Sequence, residues 1–184
     1  MNLWHPFNRL PRSWRVPVLL LLFALTFAVG RLTRQPLYAF PMNALELAPS
    51  KEAAEIIIGC WKVVDPTLHF ATALQHYDNY FIPCYSTTLA LACVFIADWL
   101  YSPDTWANFQ GKLLAWLMWV AGILDYVENY GINKMLAGKI EDRWVKMSDY
   151  SASIKFAFIA AGLTYFFTGL FVGFVRRSRT KATR

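Results

Sequence analysis

Residues 113–132 read LLAWLMWVAGILDYVENYGI. Twelve uncharged residues are followed by Asp125 and Glu128, one helical turn apart, with Asn129 beside them. An ionisable group inside a membrane span costs about 2.5–3.5 kcal/mol even on lenient insertion scales, so it persists where it is paired, solvated or used. Ala121 and Gly122 lie four and three residues before Asp125, and Glu128 and Asn129 follow it at the same spacings. That places small and polar residues in one stripe on one helical face. Small side chains permit close helix contact, so the stripe is expected to face the inside of a bundle, with both acids away from lipid.

Outward from this segment the chain is 57% apolar and 17% aromatic, with only 16% charged residues. That is poor in charge for a soluble domain. At 184 residues, one domain is expected. Residues 14–32, 81–101, 113–132 and 153–175 are each apolar over a length near the 20 or so helical residues that cross a hydrocarbon core. Buried helices of a soluble protein would keep polar faces, and these have almost none. The expected fold class is an all-α membrane protein, a four-transmembrane-helix bundle with residues 1–184 in one membrane domain.

The net charge of +6 gathers at the ends, in Arg9, Arg12 and Arg15 and in Arg176, Arg177, Arg179, Lys181 and Arg184. Short basic tails favour the cytoplasm. Both termini are therefore expected inside, in the inner membrane of a bacterial cell, with loops 33–80 and 133–152 outside. Lys134, Lys139, Arg143 and Lys146 in the second loop weigh against this topology. The basic tails read as topology and anionic-lipid signals, and no nucleic-acid partner is expected. Residues 16–30 end in Ala28-Val29-Gly30, as a signal-peptidase site would. They are expected to be retained as a span, with Arg15 and Arg31 snorkelling to the two interfaces. Trp4, Trp14, Trp99, Trp106 and Trp144 fall near span ends, as an aromatic belt requires. Gly169 and Gly173 form a small-xxx-small pair, expected to pack within the chain.

Between the first two spans, residues 33–48 contain Pro36 and Pro41 and read as loop. Ser50 starts a helix over about residues 50–64, with Glu52 and Glu55 at its positive end. Its Ile56, Ile57, Ile58, Trp61 and Val64 are expected to cap the bundle or lie in the interface plane. Asp65-Pro66 restarts the chain in a helix that feeds into the second span, kinked at Pro83. Residues 50–80 together form an external helical cap.

Antiparallel pairing of the second and third spans sets Tyr85 level with Glu128 and Thr88 level with Asp125. The fourth span brings Lys155 within about one turn of Glu128 in height. Arg31 and Arg34 end the first span on the same side, and His69, His76, Asp78 and Tyr80 lie above. The candidate ligand-binding residues are therefore Asp78, Tyr85, Asp125, Glu128, Asn129 and His76, with Arg31 and Lys155 as counter-ions. Three readings compete: ion pairs that fix the bundle, a site for a cation or the polar group of a hydrophobic ligand, and the acid and base of an intramembrane enzyme. In the last, Glu128 would lie nearer water and Asp125 deeper, with Tyr85 or His76 shuttling a proton.

His69 and His76 are separated by about 10.5 Å of helical rise, too far to hold one ion unaided, and there is no HExxH. No metal is expected and no cofactor is indicated. There is no G-x-S-x-G and no phosphate-cradling glycine loop. Cys60, Cys84 and Cys93 form no CxxC; a Cys60–Cys84 disulfide is conceivable in an oxidising compartment, but three free thiols are the stronger expectation. Asp98 beside Trp99 reads as an interface residue. The apolar stretch from Asp98 to Asp125 offers no transport path.

Asp78-Asn79-Tyr80-Phe81…Tyr85 and Gly122-Ile123-Leu124-Asp125-Tyr126-Val127-Glu128-Asn129 resemble the Asp-x-x-Phe…Tyr and Gly-x-x-Asp-x-x-Glu-Asn pattern of a loose set of small bacterial membrane proteins. The resemblance covers the middle of the chain and implies four spans with the acids together, without implying an activity. Only in span count is the chain similar to the four-helix quinone-linked thiol oxidoreductases, whose CxxC it lacks. The leading expectation is a non-enzymatic membrane protein that binds a lipid-like ligand or a partner through an externally facing acidic site. The alternatives are an intramembrane enzyme and a supernumerary subunit of a larger membrane complex. Membrane lipids are expected partners, and a homo-oligomer is compatible with the pattern.

Overall fold

The computed structural model of the chain describes residues 3–33, 37, 39–64 and 67–182, with side chains up to residue 178. It is all-helical, 85% helix, with no strand among the described residues. A 3-10 turn, Pro6–Arg9, precedes α1 (Arg12–Leu32), α2 (Met42–Glu46), α3 (Lys51–Val63), α4 (Thr67–Leu100), α5 (Trp106–Leu136) and α6 (Asp142–Ala182). The expected helix restart at Asp65-Pro66, Arg34 and Pro36, and the side chains of Arg179, Lys181 and Arg184 lie outside the described residues.

Three helices, α1, α4 and α6, are long and apolar enough to cross a membrane. The segment expected as a third span forms part of α5, which is long enough but not one of these three. Asp125, Glu128 and Asn129, together with its Trp and Tyr residues, dilute its apolar content. α5 packs along both α4 and α6, and α1 packs chiefly against α4. α1 turns Leu20, Leu21, Phe23 and Phe27 outward, and α6 does the same with Phe167, Phe171 and Phe174. Gly169 and Gly173 of α6 close onto Ile96 and Trp99 of α4, where any larger side chain would collide. The small-residue pair thus packs inside the chain.

Two expected loops contain helix. Within 33–48, Met42–Glu46 forms α2 because Pro41 sits at its N-cap, where a missing N–H breaks no helical bond. Leu45 is fully buried, and Ser148 Oγ of α6 donates to the Glu46 carbonyl at 3.2 Å, which fixes α2 on the bundle. Within 133–152 only a short link separates α5 from α6. There Gly138, at φ +86°, permits a left-handed close, with Gly138 N–H donating to Met135 O and Lys139 N–H to Lys134 O.

α3 starts where Ser50 Oγ accepts from Ala53 N–H at 3.3 Å. It buries Ile57, Ile58 and Trp61 against Leu45, Ala71, Ile132, Met135 and Val145, so α2 and α3 cover one end of α4, α5 and α6. α4 runs unbroken through Pro83. Proline has no N–H to offer the Asn79 carbonyl one turn back, and Tyr126 of α5 donates its hydroxyl there at 3.0 Å.

Candidate functional site

Lys155 of α6 is buried, and its ammonium is the centre of the site. Nζ lies 2.6 Å from Asp125 Oδ1, 2.7 Å from Glu128 Oε2 and 3.9 Å from Glu46 Oε2. Tyr85 donates its hydroxyl to Asp125 Oδ2 at 2.7 Å, and Asn129 Nδ2 donates to Asp78 Oδ2 at 2.7 Å. Asp125, Glu128 and Asn129 face inward because they share the small-residue stripe; Gly122 on that stripe lets Ser86 of α4 approach closely. Four helices therefore place four carboxyls around one buried ammonium. Such an excess of like charge in a low-dielectric interior is expensive unless protons or a further cation offset it.

Glu128 is 0% exposed. Its contact with Lys155 is an ion contact without hydrogen-bond alignment, and neither of its oxygens makes an aligned hydrogen bond. Sequence reading placed Glu128 nearer water than Asp125. Both acids are in fact buried, Glu128 at 0% and Asp125 at 4% exposed. Burial pushes the Glu46 carboxyl above the usual carboxylate range; Lys155 pulls it back, and Asp125 and Asp78 add to the rise.

Of the residues singled out from sequence, Asp78, Tyr85, Asp125, Glu128, Asn129 and Lys155 come together. His76 does not: it is exposed and lies edge-on to Tyr77 and Tyr80. Arg31 is exposed and sits over the Phe27 ring, 5.6 Å from its centroid, rather than among the acids. His69 is exposed too, and Thr88 pairs with the Thr26 hydroxyl at 2.8 Å instead of meeting Asp125. Glu46 and Gln75 were missed. Pro41 as a helix-start signal, followed by Met42 and Leu45 at helical spacing, was the clue to Glu46.

Three cavities share Thr33 in their walls. One of about 140 Å³ is bounded by Thr33, Met42, Glu46, Leu74, Gln75 and Asp78. A second, about 380 Å³, shares Thr33, Met42 and Leu74. The third, about 370 Å³, is an apolar groove between α1 and α4 walled by Phe23, Phe27, Gly30 and Phe81. Gln75 is 3% exposed, and its Oε1 has no hydrogen-bond partner. Among the described residues no three His, Cys, Asp or Glu side chains are arranged to hold a metal ion. Cys60, Cys84 and Cys93 are free thiols.

A second polar cluster lies twenty residues further along α4, about 30 Å of helical rise away. Asp98 Oδ2 accepts from Arg15 Nη1 and from Asn8 Nδ2 at 3.0 Å; Oδ1 accepts from Asn108 Nδ2 at 3.2 Å and lies 3.6 Å from Lys112 Nζ. Arg15 is thus buried in an ion pair and does not snorkel. Nearby, His5 is enclosed by Phe7, Trp116 and Trp119. Burial first, and the Lys112 charge second, push its imidazole down to about 4.

Compared with protein-family models, curated proteins and solved structures, the chain matches none.

Proposed function

We propose that this chain is a four-span membrane bundle that binds a lipid-like amphiphile at the Glu46–Asp78–Asp125–Glu128 site. In this reading α5 crosses the membrane with α1, α4 and α6, its polar stripe sheltered between α4 and α6. Both termini lie in the cytoplasm of a bacterial inner membrane, and α2 and α3 form an external cap. Arg9, Arg12, Arg15, Lys112, Arg176 and Arg177 at the end opposite the cap support that orientation. The lipid partner is the membrane's own or a guest dissolved in it.

The observation that carries the reading is that three separate cavities share Thr33 in their walls. An apolar groove, open beside the outward face of α1, lies on one side of Thr33, and a small chamber with Glu46, Gln75 and Asp78 in its wall lies on the other. An amphiphile has that division of chemistry within one molecule. Catalysis by Asp125 and Glu128 as acid and base is less well served. Lys155 sits 2.6 and 2.7 Å from the two carboxyls and holds both in place.

The test is native mass spectrometry of the gently solubilised protein beside the double variant Asp125→Asn/Glu128→Gln, with Glu46→Gln as a milder partner. A discrete adduct of lipid mass, reduced in the variants, is the expected result. A bare mass in every sample, with the variants merely less stable, would assign the acids to structure alone. Turnover of a lipid abolished by Asp125→Asn would replace binding with catalysis.

A further inference from the structure

The chamber beside Glu46 is rich in hydrogen-bond acceptors. Glu46 and Asp78 contribute carboxyls, and Gln75 contributes a buried Oε1 without a partner. The one hydroxyl in the wall, Thr33, donates to the Gly30 carbonyl at 3.0 Å. The Asn129 amide donates to Asp78, and the Lys155 ammonium is held more closely by Asp125 and Glu128 than by Glu46. The neighbouring groove, which shares Thr33 with this chamber, is walled by Phe23, Phe27 and Phe81 and has no charged residue in its lining. Resting on the amphiphile reading above, we infer that the ligand's head is a primary ammonium, seated among Glu46, Gln75 and Asp78, with its apolar chain in the Phe23–Phe27–Phe81 groove.

The alternatives fail on chemistry. A phosphate or carboxylate head would bring like charge to carboxyls that already outnumber the one ammonium. A hydroxyl brings a single donor and leaves acceptors unmet. A quaternary ammonium brings charge without an N–H and so leaves the acceptors unmet. A primary ammonium supplies three donors and no acceptor, one for each of the three side chains. It also offsets part of the charge excess that Lys155 alone does not balance. The same head chemistry occurs in a membrane aminolipid and in a free long-chain amine.

The experiment places the full-length protein in nanodiscs of phosphatidylcholine, whose head is quaternary. It compares added dodecylamine, added dodecanol, and replacement of part of the lipid by phosphatidylethanolamine. The readouts are the one-to-one adduct by native mass spectrometry and the thermal midpoint. Dodecylamine is expected to be retained and to raise the midpoint, whereas dodecanol is not. A phosphatidylethanolamine adduct makes the membrane aminolipid the source; retention of dodecylamine alone makes it a free amine. Gln75→Leu removes the unpartnered acceptor and is expected to weaken amine retention about tenfold, the loss of one charge-assisted hydrogen bond. Asp78→Asn, whose side-chain oxygen can still accept from Asn129, is the second variant and should act in the same direction. Equal retention of dodecylamine and dodecanol overturns the ammonium assignment but leaves the amphiphile reading standing. Failure of the wild-type protein to retain any amphiphile overturns both. Undiminished amine retention in both folded variants places the head elsewhere and sinks the inference.

Discussion

Two buried ion clusters about 30 Å apart along α4 have opposite imbalances. At one end a single carboxylate, Asp98, is shared by Arg15 and Lys112, and Asn8 and Asn108 complete its coordination. Both of its oxygens are engaged. At the other end a single ammonium, Lys155, faces Asp125, Glu128 and Glu46, with Asp78 beyond them, while Glu128 Oε1 and Gln75 Oε1 have no partner. Buried polar groups in folded proteins are nearly always satisfied. The Asp98 carboxylate is therefore satisfied and ties α1, α4 and α5 together, and the orphan acceptor at that end is the amide oxygen of Asn108. The Lys155 cluster holds four helices together too, but here the carboxyls outnumber the cation and one of them, Glu128, is left without a hydrogen bond.

The largest effect expected is at Lys155. Lys155→Met should destabilise the fold by roughly 3–5 kcal/mol, because it strips the one cation from buried carboxyls. Thermal or denaturant unfolding in detergent measures this. A loss below about 1 kcal/mol would mean the acids already carry protons enough to dispense with it.

The next test sets the two ends against each other. Asp98→Asn should cost about 3 kcal/mol by leaving Arg15 buried without its counter-ion. Glu128→Gln removes one of several crowded acids and should stay within about 1 kcal/mol of wild type. Equal losses in the two variants would erase the distinction between a finished cluster and an unfinished one.

The sequence announced the acidic stripe because period and residue size act locally: Ala121, Gly122, Asp125, Glu128 and Asn129 share a face whatever they pack against. Lys155 came within reach through antiparallel register alone. Glu46 and Gln75 did not, because their role depends on α2 folding back over the end of the bundle. That event is fixed by Leu45 burial and the Ser148 bond, more than a hundred residues apart in sequence. Arg31 illustrates the converse failure. Its height along the chain was right for a counter-ion, but α1 packs chiefly on α4 and leaves it beside Phe27. Asp98 was read as an interfacial residue because its partners Asn8, Arg15 and Lys112 come from distant turns.

The two ends should also differ in the sign of their pH response. His5 has its imidazole pushed down to about 4. Between that value and the ordinary histidine value near 6.5, the unfolded chain binds the proton more tightly. Its contribution to stability is complete above about 6.5 and is lost as pH falls towards 4. Glu46 is raised, so between the ordinary glutamate range and its own higher value the folded chain holds the proton more tightly. Its contribution is complete at low pH and is lost as pH rises through that higher value. In unfolding midpoints measured against pH, His5→Gln should remove a loss of stability on acidification, and Glu46→Gln a loss of stability on raising the pH above the ordinary glutamate range. If both variants remove a loss in the same direction of pH, the assignment of opposite signs to the two ends is wrong.

The smallest effect expected lies beside the acidic stripe, at Tyr126. Pro83 deprives the Asn79 carbonyl of its helical partner, and the Tyr126 hydroxyl takes that place at 3.0 Å. Asn79 follows Asp78 directly, so the bond also steadies the turn of α4 that carries one acid of the site. Tyr126 is 45% exposed, so water can replace much of the bond when it is lost. Tyr126→Phe should then cost no more than about 1 kcal/mol, too little to confuse with loss of either ion cluster. Ligand retention is the more sensitive reading. If the turn around Asp78 must be held for the head to seat, adduct intensity falls in Tyr126→Phe while the melting midpoint barely moves. If both stay at wild-type values, Pro83 and its neighbours hold α4 without help, and Asp78 is positioned by Asn129 alone.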